Sequence, residues 1–185
     1  GKYILNGVFR ASGASQLAQS KKWGYFPGIS AAWIISNEKF LKNNSIISEL
    51  KLRGGWGQVG NISGVREYSS YMLLVDEGTE LQNYENKDLT WETTTDINIG
   101  LDVGFFNNKV RLTADAYKKT TVDLINTIYF PGDVTPLTYN AGKIENNGVE
   151  LSLNTINFKG NFNWNTNFNI SFNKNKIIEM GYEKI

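Results

Sequence analysis

Two pairs of carboxylates are the side chains best suited to chemistry in this chain of 185 residues. Asp96 and Asp102 form one pair, and Asp115 and Glu150 form the other. Paired carboxylates in different environments supply the acid and the base or nucleophile of glycoside hydrolysis. The same residues also fit the polar positions of regularly alternating strands, so they need no catalytic role. We therefore expect no enzymatic activity.

A second acidic group, Asp76, Glu77 and Glu80, offers the oxygen ligands that Ca²⁺ prefers. It lacks the regular spacing of a calcium loop, so a solvated acidic turn is the better interpretation. Histidine and cysteine are both absent from the sequence, which removes disulfides, imidazole or thiolate metal sites and His-dependent triads. We predict no catalytic residue, no metal site and no cofactor.

Charge and hydropathy exclude further classes of protein. The 19 Lys and Arg residues nearly balance the 18 Asp and Glu residues, which disfavours a nucleic-acid partner. No apolar run approaches the roughly 20 residues of a membrane-spanning helix. The start of the sequence, "GKYILNGVFR", lacks the regions of a signal peptide. A helical membrane protein is excluded, whereas one built from strands is not.

Long strands are the elements that must position the carboxylates. From Trp91 to Phe105 every odd position is apolar or threonine, with mainly polar residues and glycine between, which is a period of two. After a turn at 106–108 the alternation resumes along 110–117, which predicts a tight hairpin. Segment 162–173 sets Phe, Trp, Thr and Ile against Asn and Ser in the same way.

The whole chain is predicted to be an all-β, antiparallel up-and-down meander. About seven strands lie near residues 2–12, 23–34, 49–58, 90–105, 109–125, 147–156 and 161–176. Their connections are short turns at 106–108 and 157–160, a link at 35–48 with a helical turn capped by Ser36 or Asn37, and long loops at 13–22, 59–89 and 126–146. In a meander all the long loops fall at one end, as in outer-membrane barrels.

Two architectures fit such strands. A soluble carbohydrate-binding β-sandwich has strands of about 5 to 6 residues, whereas crossing a hydrocarbon layer takes roughly 9 to 11 tilted residues, a length that 91–105 and 162–172 exceed. Aromatic rings near both strand ends favour the membrane, because rings concentrate at its two interfaces. Trp33, Phe105, Phe106, Phe162 and Trp164 lie towards the short turns, and Trp23, Tyr25, Trp56 and Trp91 towards the long loops.

The strands would then separate lipid from water. The apolar face, with Ile97, Ile99, Leu101 and Phe168, would contact hydrocarbon. The polar face would contact a water-filled lumen and carries Glu92, Asp96, Asp102, Arg111, Asp115 and Glu150. A structural or adhesive outer-membrane barrel without transport activity stays open as a further alternative.

Seven short segments, in order along the chain, form a recognisable signature. "KWGYFPGISAAW" (22–33) resembles W-G-Y-F-P-S-x-S-A-x-W, and "LKLRGGWGQVGN" (50–61) resembles L-K-L-R-x-S-Y-G-x-x-G-N. The others are "NKDLTWETT" (86–94), "NIGLD" (98–102), "YKKTTVDLI" (117–125), "NAGKIENNGVE" (140–150) and "NISFNKNKI" (169–177). This signature resembles that of TonB-dependent outer-membrane transporters of the SusC/RagA type.

The resemblance implies a transmembrane β-barrel of about 22 strands, with residues 1–185 as a partial barrel domain from its C-terminal half. The plug domain and the terminal strands would lie outside this piece. It further implies import of glycan oligomers or peptides across the Gram-negative outer membrane. A SusD-like lipoprotein would cap the long loops, and the TonB complex would act through the N-terminal region.

Candidate cargo-binding residues follow from this facing and from the loops. On the polar face they are Glu92, Asp96, Arg111, Asp115 and Glu150. In the loops, aromatic rings are placed to stack on sugars, with packing of the loops against one another as the alternative explanation. These rings are Tyr68, Tyr71, Tyr84, Tyr129, Phe130 and Tyr139.

Overall fold

A computed structural model of the chain describes residues 1–41, 44–75, 78 and 80–181. The chain is all-β apart from a 3-10 turn at Ile35–Asn37. Within the described residues, no helix is long and apolar enough to cross a membrane. The strands are β1 (Tyr3–Gly13), β2 (Trp23–Ile34), β3 (Ile47–Asn61), β4 (Leu73–Val75), β5 (Glu80–Asn83), β6 (Glu92–Phe105), β7 (Val110–Val122), β8 (Ile125–Tyr129), β9 (Pro136–Asn140), β10 (Lys143–Phe158) and β11 (Trp164–Glu179).

The predicted seven-stranded meander is confirmed. Seven strands form one antiparallel sheet in the order β1-β2-β3-β6-β7-β10-β11, so each strand pairs with its predecessor within that sheet. These strands are 11 to 16 residues long, longer than the strands of common sandwiches. Since all seven lie in one sheet, the sandwich alternative, with two packed sheets, is wrong.

The strand register keeps apolar side chains in rows that cross the whole sheet. One such row, in sheet order, is Tyr3, Trp33, Leu52, Leu101, Ala114, Leu151 and Ile170. Ile99 and Phe168 on this apolar face are 56% and 55% exposed. No second protein layer covers these side chains in the part of the chain that the structure describes. The apolar face is therefore open to an outside medium.

The row one residue further along belongs to the polar face. It reads Ile4, Ala32, Arg53, Gly100, Asp115, Glu150 and Ser171 in sheet order. Charged side chains gather at its centre, on β3, β7 and β10. The predicted assignment of Asp96, Asp102, Arg111, Asp115 and Glu150 to one face agrees with this register.

Most of the buried hydrophobic side chains among the described residues lie under the long loops, and Phe26 on β2 is the buried one within the large sheet. Ala14, Leu17, Val65 and Leu89 form a buried cluster, against which Ile62, Trp91 and Ile125 pack. These residues come from all three long connections, 14–22, 62–91 and 123–142. The loops at this end are thus packed together by hydrophobic contacts.

The long loops contain two hairpins that the sequence interpretation did not predict. β4 pairs with β5, and β8 pairs with β9, each as a separate two-stranded sheet. The predicted strand 109–125 was therefore too long, because β7 ends at Val122. Asp123 adopts a left-handed conformation with φ of 55°, which interrupts an extended strand.

The link 35–48 also differs from the prediction. A helical turn capped by Ser36 or Asn37 was wrong, because the 3-10 turn begins from Ile34 and has no side-chain cap. The Asn37 side chain instead donates to the carbonyl of Gly1 over 2.8 Å. Glu38 accepts hydrogen bonds from Lys2 at 2.7 Å and from Trp33 at 3.2 Å. Polar contacts thus fasten this link to the end of β1.

Aromatic side chains pair near the strand ends, as expected for two interfacial belts. Tyr3 stacks with Trp33 at the short-turn end, and Phe9 stacks with Tyr25 towards the long loops. Trp91 departs from the prediction: it precedes β6 and meets Phe26 edge to face at 5.4 Å. Because Trp91 lies outside the paired residues of β6, the alternation of that strand does not determine on which face of the sheet its ring lies.

Replacing an apolar-face residue by a charge should block assembly. We expect Ile99→Arg, at the centre of β6, to cost about 2 to 4 kcal/mol near the bilayer midplane, because the guanidinium would be placed in hydrocarbon. Urea titration of the full-length protein folded into lipid vesicles measures this cost.

Asn169→Arg is the control, since Asn169 lies on the polar face and its charge would remain in water. Equal losses of folding free energy at the two positions would contradict the assigned faces.

Candidate functional site

An ion network at the centre of the polar face joins β3, β6 and β7. The guanidinium of Arg53 donates to Asp102 at 3.1 Å and to Asp115 at 2.7 Å. Lys51 lies 3.7 Å from the same Asp102 carboxylate, and the Thr113 hydroxyl donates to it over 3.2 Å. Arg53 thereby links carboxylates on two strands, and Arg53 and Lys51 together balance the two negative charges.

Glycine makes room for this network. An ideal Cβ built on Gly100 would come within 2.5 Å of both the Arg53 Cζ and an Asp115 oxygen. The guanidinium therefore lies directly over the β6 backbone. Gly148 similarly makes room for the ring of Tyr117, which a Cβ there would overlap. Small residues let large polar side chains lie flat on this wall.

Two of the predicted polar-face residues have local partners. Arg111 forms an ion pair with Glu49 at 2.8 Å. Glu92, at the loop end of β6, accepts from the Asn61 amide at 3.2 Å and from the backbone N–H of Ile125 at 3.4 Å. Glu92 therefore fastens a long loop to the sheet.

The two carboxylate pairs differ in this arrangement: Asp96 and Asp102 lie six residues apart on β6, whereas Asp115 and Glu150 are neighbours on adjacent strands. Asp102 and Asp115 both bind Arg53, so each carboxylate already accepts strong hydrogen bonds. Glu150 is the register partner of Asp115 and is exposed. It borders a depression of about 320 Å³ together with Thr113, Ser152 and Asn169.

Asp96 lies apart from the ion network, in a second depression of about 300 Å³. This depression lies on the polar face across β1, β2, β3 and β6, and Gly28, Gly55 and Gly57 form its floor. Asn6, Ser30 and Asn98 border it with Asp96. The Asp96 Oδ1 atom is buried and accepts no hydrogen bond from any described residue.

The hairpins at the long-loop end are joined by hydrogen bonds over long sequence distances. The N–H of Tyr84 donates to the carbonyl of Pro136 at 3.1 Å. Asn140 accepts from the N–H of Thr90 at 2.7 Å and donates to the carbonyl of Thr90 at 2.9 Å. The buried Ser70 hydroxyl donates to the carbonyl of Gln16. All three long loops are thus connected.

Tyr84 and Asp133 form the closest polar contact between the hairpins. The Tyr84 hydroxyl donates to the Asp133 carboxylate, and the N–H of Thr135 donates to it at 2.8 Å. These hydrogen bonds lower the pKa of Asp133, with the Tyr84 contribution the larger. The same contact raises the pKa of Tyr84. Each effect favours the carboxylate paired with a neutral phenol.

The candidate loop aromatics divide into packed and exposed rings. Tyr84 meets Phe130 edge to face at 5.6 Å, which fits the packing explanation. Tyr139 borders a depression of about 220 Å³ between the β8–β9 hairpin and β11. An outward surface with apolar character remains on the loops and includes Tyr68, Tyr71, Met72, Leu74 and Tyr129.

Some charged residues of the polar face were missed, and the cargo-binding role of the predicted site residues stays a prediction. Arg53, Lys51 and Glu49 were not predicted, although the alternation in "ELKLR" places all three on the polar face. The acidic group with Asp76 and Glu77 lies largely outside the described residues, so the interpretation of that group as a solvated turn remains a prediction.

A single sheet of long strands, with one open apolar face, one charged face and packed loops at one end, defines a wall of a membrane β-barrel. The sequence matches the family described as "TonB dependent receptor-like, beta-barrel" over residues 3–181, and the chain belongs to that family. The predicted resemblance is confirmed.

Curated relatives agree with this assignment. The chain is 37% identical over 193 residues to TonB-dependent receptor P26 of Formosa agariphila, covering 97% of the chain and 19% of that protein. It is 32% identical over 197 residues to TonB-dependent receptor SusC of Bacteroides thetaiotaomicron, covering 97% and 20%. The chain thus spans about a fifth of the length of these curated relatives. Both relatives are named as receptors and not as enzymes.

Solved structures have the same fold. The chain matches a structure of the RagAB peptide transporter with a TM-score of 0.87 and 25% identity, over 98% of this chain and 21% of that chain. The "closed-closed" state of the RagAB peptide importer matches with a TM-score of 0.87 and 24% identity, over the same shares. The meander is therefore the fold found in a transporter barrel.

Adding a methyl group under the ion network should weaken the wall. We expect Gly100→Ala to displace Arg53 from Asp115 and to lower the unfolding free energy by about 1 to 2 kcal/mol. This value takes into account that the ion pair is partly exposed to solvent, which weakens it. The urea midpoint of the full-length protein in detergent reports the change. Gly7→Ala is the matched control, because a Cβ there meets nothing within 4 Å. Equal shifts would contradict this role for Gly100.

The contact between the hairpins should weaken in acid. Because the folded pKa of Asp133 is lowered, its stabilisation is complete above the ordinary value of about 3.9 and is lost as the pH falls through the lower folded value. We expect hydrogen-exchange protection of 136–140, corrected for the intrinsic rate, to fall in acid. Asp133→Asn should remove this pH dependence, and its persistence in that variant would contradict the assignment.

Proposed function

We propose that this chain is one section of the barrel wall of an energised importer in the Gram-negative outer membrane. The family match over residues 3–181 carries the proposal. The separation of the two faces by the register supports it, because a barrel wall must present apolar groups to lipid and polar groups to its lumen.

The faces have different tasks in this proposal. Ile99, Leu101 and Phe168 contact acyl chains. The polar face lines the path of the cargo, and the candidate cargo contacts on it are Glu92, Asp96, Arg111, Asp115 and Glu150. Arg53 and Lys51 balance the charges of Asp102 and Asp115, so cargo would pass these fixed polar groups without being trapped by a strong field.

The packed loops would form the outer surface on which a partner closes. A SusD-like lipoprotein is the partner we propose, as the resemblance to transporters of the SusC/RagA type implies. The exposed apolar side chains Tyr71, Met72 and Tyr129 suit such a contact. Because the loops share a buried cluster, they would offer this partner an ordered surface.

The remaining parts of the transporter are proposed from the properties of the family. A barrel of about 22 strands would close around a plug domain, and the TonB complex would transmit the inner-membrane energy through the N-terminal region. Residues 1–185 would supply seven of the strands. The cargo would be peptides or glycan oligomers, of which peptides are named for RagAB. No covalent step is required of the wall.

Uptake by intact cells tests the proposal. We expect cells that express the full-length protein with its lid lipoprotein to accumulate labelled peptides or oligosaccharides, and a protonophore to reduce this uptake to the level of cells without the gene. The expected loss follows from the energy requirement of import.

A small sugar that enters through general porins serves as the control for cell damage. Cargo accumulation that survives the protonophore, while an inner-membrane proton symporter in the same cells stops, would show that this protein does not use the gradient.

A further inference from the structure

We propose that the depression with the glycine floor around Asp96 is a cargo subsite for a cationic group, either an ammonium or a guanidinium. The cargo class would then be peptides that carry basic groups, and not neutral glycans. This inference rests on the import function proposed above and specifies what the lumen recognises.

The first observation is the shape of the depression. Gly28 and Gly57 face each other across β2 and β3, and an ideal Cβ on Gly57 lies 3.6 Å from the Gly28 Cα. With Gly55 they form a floor without side chains of its own, and the depression measures about 300 Å³. An ideal Cβ on Gly28 would come within 2.9 Å of the Val8 side chain, and one on Gly55 within 3.2 Å of the Asn98 side chain. The glycines therefore let Val8 and Asn98 lie close to the backbone at the edges of the depression.

The second observation is the chemistry of the rim. The side chains of Asn6, Ser30 and Asn98 border the depression, and Asp96 is the charged group among its lining residues. Carboxamide, hydroxyl and carboxylate oxygens all accept hydrogen bonds. A lysine ammonium has three donors and an arginine guanidinium has five, so either group can use several of these acceptors at once.

The third observation is that Asp96 has an unused acceptor. Its Oδ1 atom is buried, and no described residue donates to it. Lys119 is the register partner of Asp96 on β7, yet its ammonium lies 5.1 Å from the centre of the Tyr117 ring. A buried acceptor without a donor costs free energy. A cationic group in the depression would compensate the charge of the Asp96 carboxylate, and a charge-assisted hydrogen bond is roughly twice as strong as a neutral one.

The other carboxylates of the polar face lack this combination. Asp102 and Asp115 both form ion pairs with Arg53. Glu150 is exposed to solvent, so water satisfies it. Asp96 alone among these carboxylates joins a buried unpaired oxygen to a depression large enough for a side chain.

The position of Asp96 suits cargo that enters from the loop side. It lies four residues after Glu92, the first residue of β6, which is about 13 Å along a strand. Asp96 is therefore in the half of the wall nearer to the long loops. A domain that fills the inner part of the lumen would leave this half more accessible to cargo.

Competitive binding to the purified full-length transporter with its lid tests the subsite. The probes are short synthetic peptides that each contain one central lysine, mixed in equal amounts with their Nε-acetyl-lysine forms. Mass spectrometry of the retained peptides gives the preference for lysine. We expect about a tenfold preference in the wild type, as one charge-assisted hydrogen bond supplies, and a ratio near one in Asp96→Asn.

The matched control is Asp88→Asn, which removes one negative charge from an exposed loop position. This variant should keep the wild-type preference. An unchanged preference in Asp96→Asn would overturn the subsite. A lower urea midpoint of Asp96→Asn together with an unchanged peptide preference would also overturn the subsite. The Asp96 carboxylate would then bind a domain of the transporter itself and not the cargo.

Two further outcomes separate this inference from the proposed function. Binding of maltohexaose with no retention of either peptide form would overturn the cationic subsite and leave the import function intact. Failure of the wild type both to bind these probes and to support uptake in cells would overturn the import function and the subsite with it.

Discussion

A strand can lie against hydrocarbon only when its backbone N–H and C=O groups are paired, because lipid offers them no partner. The ladder meets this constraint for the five inner strands, whereas β1 and β11 are paired on one side within the described residues. The ladder also fixes which side chains face each medium. A slip of one residue would turn a strand's charged side chains to the apolar face. The contacts from Arg53 on β3 to Asp115 on β7 span β6 above Gly100. They form only in the observed register, so the ion network and the ladder specify the same pairing.

Glycine has two opposite consequences on the polar face. Gly100 and Gly148 are covered by a guanidinium and by the Tyr117 ring, which fill the missing side-chain volume and make the wall rigid. Gly28 and Gly57, which face each other on β2 and β3, line a depression instead. The wall is therefore filled where its charges are paired and recessed beside Asp96.

The long loops are stabilised differently from the sheet. Leu17, Val65 and Leu89 exclude water from a small core of their own, and Asn140 and Thr90 exchange hydrogen bonds across it. Since the apolar side chains of the sheet are committed to an outside medium, the loops need this separate core to hold one arrangement. An ordered outer surface and a membrane-facing wall thus follow from two independent sets of contacts.

The strands could be predicted from the sequence because two media impose a period of two over the whole length of β6 and over residues 162–173. The short hairpins β4–β5 and β8–β9 could not, since contacts such as Tyr84 with Asp133 join residues far apart in the chain. The same limit applies to the candidate site. Alternation placed Asp102, Asp115 and Asp96 on one face, but it contains no information about which of them form ion pairs with Arg53. That difference depends on Gly100 beneath the guanidinium and on Lys119 lying over Tyr117. Local pattern determines which side of the wall a charge occupies, whereas three-dimensional packing determines whether that charge is free to bind a ligand.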